Sequence, residues 1–131
     1  MKVNLNSGVT NIEIPYGEIM VVLVLKNTTS EEFCQFLKAR FKLDKRAEVI
    51  EDQSSSARIN FIDKLLVDIK VKDKAGNFAE LVFTDPASGA EKPLTPETPN
   101  WKQYVLPSFK YAAATVFEGV KARMENAILK N

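Results

Sequence analysis

Glu51, Asp52 and Asp63 are the first side chains in this sequence whose types and spacing could do chemistry. Neighbouring carboxylates can divide general acid and general base between them, or share a divalent cation. Their setting argues for a plainer role. Glu51-Asp52 runs directly into Ser54-Ser55-Ser56, where acidic residues read as a solvated loop or helix end and the serines as helix caps. Ser–Lys chemistry is formally open to these serines, but nothing in the spacing selects a lysine partner. The chain has no histidine and a single cysteine, Cys34. Histidine supplies the commonest general base and zinc ligand, so Ser–His and Cys–His nucleophiles and Cys/His zinc sites are excluded. The five glycines are scattered, with no pattern that would cradle a phosphate. The sequence therefore assigns no catalytic residue, no metal ligand and no cofactor, and the expected action is non-enzymatic.

That leaves contact surfaces. Trp101 and Tyr104 stand one helical turn apart beside a proline-rich stretch, and large amphipathic aromatics are enriched at interface hot spots. Phe109, Val116, Val120 and Met124 continue an apolar stripe along the segment that follows. These six residues are the candidate partner-binding set. The plainer reading of Trp101 is that it pins the loop onto the core.

The elements that must position these residues follow from periodicity. Val3 and Leu5 alternate with polar neighbours before a turn at Asn6-Ser7-Gly8, and Val9 to Ile14 resumes the strand pattern. After Pro15-Tyr16-Gly17, the run Ile19 to Leu25 has the continuous apolar character of a strand covered on both faces. An N-terminal β-meander is expected. Thr29 and Glu32 form a capping box, and Phe33, Phe36, Leu37 and Phe41 fall at helical spacing behind it, predicting a helix from Ser30 to Lys42. That aromatic stripe reads as core. Residues 43–53 are charged and have no clear period.

From Ala57, the positions Ile59, Ile62, Leu65 and Leu66 favour a second helix, although strand is an alternative for this stretch. Val67, Ile69 and Val71 then alternate with Asp68, Lys70 and Lys72. A turn at residues 73–77 and a return strand from Phe78 to Thr84 predict a hairpin. Residues 85–100 hold four of the six prolines and read as a surface connection. Thr98-Pro99 opens a short helical turn carrying Trp101 and Tyr104. From Ser108 a long amphipathic helix closes the chain, with Lys110, Glu118, Lys121 and Arg123 on its polar face and Gly119 tolerated within it. The fold class is α+β: a β-meander, two shorter helices, a β-hairpin and a long C-terminal amphipathic helix.

At 131 residues the natural expectation is one domain spanning 1–131, able to bury roughly two-thirds of its unfolded surface. Apolar residues are 45% and charged residues 27%, as in an ordinary globular chain. Eighteen Lys+Arg against seventeen Asp+Glu leave no overall basic excess for nucleic acid. The longest apolar run, Ile19 to Leu25, is far short of the roughly 20 residues of a membrane span, and the N-terminus lacks a signal-peptide pattern. One unpaired thiol favours a reducing compartment, so the expected location is the cytoplasm.

Two stretches carry a family resemblance. The first is Ala57-Arg58-Ile59-Asn60-Phe61-Ile62-Asp63-Lys64-Leu65-Leu66-Val67-Asp68, followed by the turn containing Gly76. The second is Pro99-Asn100-Trp101-Lys102, then Leu106-Pro107, then the helix ending in Lys130-Asn131. The order is similar to that of small proteins encoded among the tail genes of tailed bacteriophages and prophages, many of them tail assembly chaperones. Those proteins show an Arg…Phe-x-Asp-x-Leu-Leu-Val segment, a Gly-containing turn, a Pro/Thr/Glu-rich spacer and a terminal helix. The resemblance covers residues 57–131 and, more loosely, Leu23 to Arg40. It implies a non-enzymatic factor that binds tail-tube or tape-measure protein in the bacterial cytoplasm, burying a client's amphipathic segments against the long helix and the Trp101 region. The alternatives are a structural tail or connector subunit of the virion, which self-associates, and a small carboxylate-dependent enzyme.

Overall fold

The computed structural model describes residues 1–2 and 8–130, the side chains of 120–130 excepted. The strand expected at Val3 and Leu5 lies outside the described residues.

The architecture is α+β, with three helices and antiparallel sheets. Its centre is β2 (Ile19–Lys26), flanked by β1 (Val9–Tyr16) on one side and β5 (Leu66–Lys72) on the other. β1 and β2 are joined by Gly17-Glu18, with Tyr16 opposite Ile19. Gly17 has φ 61°, the left-handed value that a two-residue hairpin turn asks of its first central position. Val21, Leu23 and Leu25 face the helices, and Val22 and Val24 on the other face are buried as well. Val22 and Val24 lie outside the core cluster that the helices build among the described residues. On that face Glu13 of β1 and Lys72 of β5 reach towards each other over β2, 3.6 Å apart. The expectation of a strand buried on both faces holds.

α1 (Ser30–Ala39) opens with the predicted capping box: Thr29 N–H donates to Glu32 Oε1 and Glu32 N–H donates to Thr29 Oγ1, each at 3.2 Å. The backbone N–H of Thr29 is the main cause of a Glu32 carboxyl held below its ordinary value. The helix stops at Ala39, short of the expected Lys42. Phe41 leaves it to begin β3 (Phe41–Leu43), which pairs with β4 (Val49–Asp52) in a hairpin that the charge-rich sequence had hidden.

α2 (Ser54–Leu65) settles the helix-or-strand alternative for residues 57–65 as helix, and the strand starts at Leu66. The serines do not cap it as expected. The N-cap is Gln53, with no side-chain cap bond, and the carboxylate just before it performs that task. Asp52 Oδ1 accepts the Ser54 N–H at 2.9 Å and also the Ser54 hydroxyl.

The hairpin expected over residues 67–84 forms only at its turn end. Lys72 bridges Phe78, but Val82–Thr84 (β6) turns away to pair with β7 (Glu91–Pro93) inside the proline-rich connection. Three things hold the diversion. Asp85 accepts the Gly89 N–H at 2.7 Å, Lys92 Nζ lies 2.6 Å from Asp85 Oδ2, and Leu94 packs on the core. Residues 85–100 are therefore partly a second small hairpin.

A 3-10 turn (Trp101–Tyr104) then leads into α3 (Pro107–Lys130), 24 residues long. The core gathers Phe36 of α1, Phe61, Ile62 and Leu65 of α2, and Ala113 and Ala114 of α3 over the sheet. Phe36 and Phe61 stack at 4.4 Å and Phe117 meets Phe61 edge-on at 5.4 Å, so the α1 stripe is core, as expected, for Phe33, Phe36 and Leu37. A Cβ built on Gly119 would meet nothing within 4 Å among the described residues, consistent with a merely tolerated glycine.

Candidate functional site

Of the carboxylates that first invite chemistry, Asp52 and Asp63 are occupied, and Glu51 is exposed on β4. Asp52 is bonded to Ser54, whose hydroxyl and N–H keep its carboxyl below the ordinary range. Asp63, near the other end of α2, faces Lys110, with Nζ 2.7 Å from Oδ1. Lys110 is 4% exposed, which corrects its assignment to a polar helix face. Lys102 Nζ also comes to Asp63, donating to its main-chain carbonyl at 2.5 Å. Two lysines thus tie the 3-10 turn and α3 to α2. Among the described residues, no three Asp, Glu or Cys side chains gather where they could hold a metal ion.

A second polar knot lies further along the same helices. Arg58 donates to both Glu118 oxygens, at 3.0 and 3.1 Å, and stacks on the Tyr111 ring at 4.7 Å. The bond to Glu118 raises the guanidinium above its already high value. Arg40, where α1 ends, approaches the same carboxylate at 3.7 Å. Glu118, on the expected polar face, therefore serves as a staple between the three helices.

The candidate partner-binding residues scatter. Trp101 is buried, pinning the turn onto the core. Tyr104 is half-buried and stacks on Phe83 at 4.4 Å. Phe109 is half-buried and meets Tyr16 edge-on at 5.1 Å. Val116 is exposed. Val120 and Met124 have side chains outside the described residues. The structure does not gather the described four into one face.

It gathers a different set. Every residue from 41 to 53 is exposed, so the β3–β4 hairpin stands off the core. Phe41 and Leu43 share one face, two residues apart. A register shift after Lys42 sets Val49 directly opposite Leu43 and leaves Ile50 as the extra residue of a bulge. Phe41, Leu43, Val49 and Ile50 are 37%, 52%, 58% and 58% exposed. Lys42 pairs with Glu51 on the other face. The result is a hairpin with four exposed apolar side chains, Leu43 beside Val49 and Phe41 opposite Asp52.

Both its ends are fixed. At the base, Gln53 N–H donates to Arg40 C=O at 2.7 Å, and the Arg40 guanidinium lies 5.4 Å from the Phe41 ring. At the tip, Asp44 Oδ1 accepts the Arg46 and Glu48 N–H groups at 2.8 and 3.0 Å, and Ala47 takes φ 62° to close the turn. Sequence reasoning missed this site. The available signal was Phe41-Lys42-Leu43 and Val49-Ile50 flanking a polar run, but Phe41 also completes the helical stripe of α1.

Among the described residues no helix is long and apolar enough to cross a membrane. No family model matches the chain, and no curated protein or solved structure is significantly similar to it.

Proposed function

We propose that this protein is a non-enzymatic assembly factor that holds a protein client against the exposed apolar side chains of the β3–β4 hairpin, and that the client is a phage tail-tube or tape-measure protein. The observation that carries the reading is four apolar side chains left uncovered on a hairpin anchored at both ends. Isolated two-stranded hairpins are marginal in water, so one with exposed apolar side chains gains from a partner. Full burial of such a side chain is worth roughly 1.5–3 kcal/mol, and these are about half exposed, so covering all four gains roughly 4 kcal/mol before association costs. Contact of this kind needs no titrating group, which fits a chain without histidine. The phage client rests on the resemblance over residues 57–131.

The test is gel filtration of purified protein mixed with tail-tube or tape-measure protein at tens of micromolar. Co-elution is expected from the parent chain. It should be lost in a Leu43→Ser/Ile50→Ser variant whose folding stability changes by no more than about 0.5 kcal/mol per exposed site. Separate elution of the parent chain would refute the phage client. Undiminished co-elution of the variant would refute the hairpin as the surface.

A further inference from the structure

Residues 78–84 begin a hairpin with β5 and then abandon it. Asp73 N–H donates to Asn77 C=O at 2.9 Å, and Ala79 N–H donates to Val71 C=O at 2.8 Å. Past that point Leu81 C=O is taken by Leu94 N–H at 2.8 Å, and the chain swings off to β7. The outer edge of β5 is left facing an open groove of about 430 Å³, bounded on its far side by Glu80, Leu81, Leu94 and Pro96.

The ladder fixes which backbone groups meet that groove. Val71 C=O points outward, to Ala79, and direction alternates along a strand, so Ile69 N–H and C=O point outward too. The Ile69 N–H is occupied by the Asp68 carboxylate at 2.8 Å, a side chain standing where a neighbouring strand would be. Among the described residues no backbone N–H donates to the Ile69 C=O, and Ile69 lines the groove. An edge of this kind is a template for another strand.

Side chains specify the strand. Lys70 has no carboxylate partner among the described residues, and its Nζ rests 5.6 Å from the Phe78 ring. Ile69 packs against the core, and Asp68 shares the outer side with Lys70. Antiparallel continuation from the Lys72–Phe78 bridge sets successive incoming residues opposite Lys70, Ile69 and Asp68. The matching order is acidic, apolar, basic. The chain's own Glu80-Leu81 would supply the first two, but β7 holds Leu81 away.

We propose that the outer edge of β5 is a strand-addition site for an extended segment of a partner protein, with an acidic residue opposite Lys70, an apolar residue opposite Ile69 and a basic residue opposite Asp68. This surface is separate from the β3–β4 hairpin and does not depend on the phage reading.

The experiment titrates a blocked hexapeptide with a central Glu-Val-Lys into the isotope-labelled full chain and follows backbone amide shifts. Saturable shifts are expected in residues 67–71 and 79–81. Lys70→Glu should weaken binding about fivefold, and changing the peptide's Glu to Lys, with its own Lys kept opposite Asp68, should restore it. N-methylation of the peptide's valine removes the bond to Ile69 C=O and should weaken binding about tenfold. The proposal is overturned by an absence of β5 shifts at about 1 mM peptide, where even a contact of about 4 kcal/mol is half saturated. It is equally overturned by indifference to both the charge reversals and N-methylation, or by amide signals showing residues 80–84 already paired to β5 in the free chain.

Discussion

Replacing Lys110 by Met tests how the helices are locked together. The side chain is 5% exposed and its ammonium sits 2.7 Å from Asp63 Oδ1. Methionine keeps the apolar stem and removes the charge, so packing is largely conserved. Orphaning one member of a buried pair costs about 3–5 kcal/mol. The Asp63 side chain is 35% exposed and regains part of its hydration, which lowers the expected loss to about 2–3 kcal/mol. For a chain of this length that is a fall in Tm of roughly 10 °C. Asp63→Asn should cost more, about 3–5 kcal/mol, because the ammonium it strands is the more deeply buried partner. Lys110→Met/Asp63→Leu removes both charges and should return to within about 1 kcal/mol of the parent. Urea unfolding followed by circular dichroism measures all three, with an unchanged m-value as the check on two-state behaviour. Additive single losses, with no recovery in the double variant, would refute the reasoning.

Phe61 is 5% exposed and touches the Phe36 and Phe117 rings, so Phe61→Ala should cost about 4 kcal/mol in the same unfolding assay. The Glu32, Asp52 and Asp85 carboxyls are held below their ordinary values, chiefly by the Thr29 N–H, the Ser54 hydroxyl and Lys92 respectively. A carboxyl depressed in the folded state contributes stability that is present above its unfolded value and is lost as pH falls through the folded one. Stability should therefore decline below about pH 4. Thr29→Ala should remove about 1 kcal/mol at neutral pH and leave most of that acid limb in place, because the main-chain N–H that holds Glu32 down survives it, as measured by melting temperature against pH.

Much of the fold was legible because local and global preferences agree. The Thr29–Glu32 box and the continuous apolar β2 need no tertiary information, and the change of period at Leu66 marks the true junction of α2 and β5. The failures share a cause: one residue satisfied two patterns, and contacts distant in sequence chose between them. Phe41 fits the helical stripe of α1, yet its backbone pairs with Asp52. The tip of that hairpin places Ala47 in the left-handed region, so the glycine or asparagine that normally announces such a turn is missing. Phe78 to Thr84 alternates as a return strand should, but a second turn built on Asp85 and Gly89 captures its far half. Lys110 looked solvent-facing because Asp63, 47 positions earlier, is invisible to a periodicity argument. The candidate site suffered most. Trp101 attracted attention by residue type, whereas exposure is a property of the assembled chain.

The position of the hairpin also bears on how a bound client would be felt elsewhere. Arg40 is the junction: its carbonyl holds Gln53 at the hairpin base, its guanidinium lies over Phe41, and it approaches Glu118. Glu118 is shared with Arg58, so the base of the hairpin, α2 and α3 meet at one carboxylate. A client that ordered Phe41 would also restrict Arg40, whose guanidinium stands 3.7 Å from Glu118. Arg58 gains more than Arg40 from that carboxylate, because its two bonds are near 3 Å while Arg40 stands at 3.7 Å. The weaker arm is the adjustable one. A client seated on Phe41 would thus act on the helices through the least committed contact in the network, where a small shift in geometry costs least.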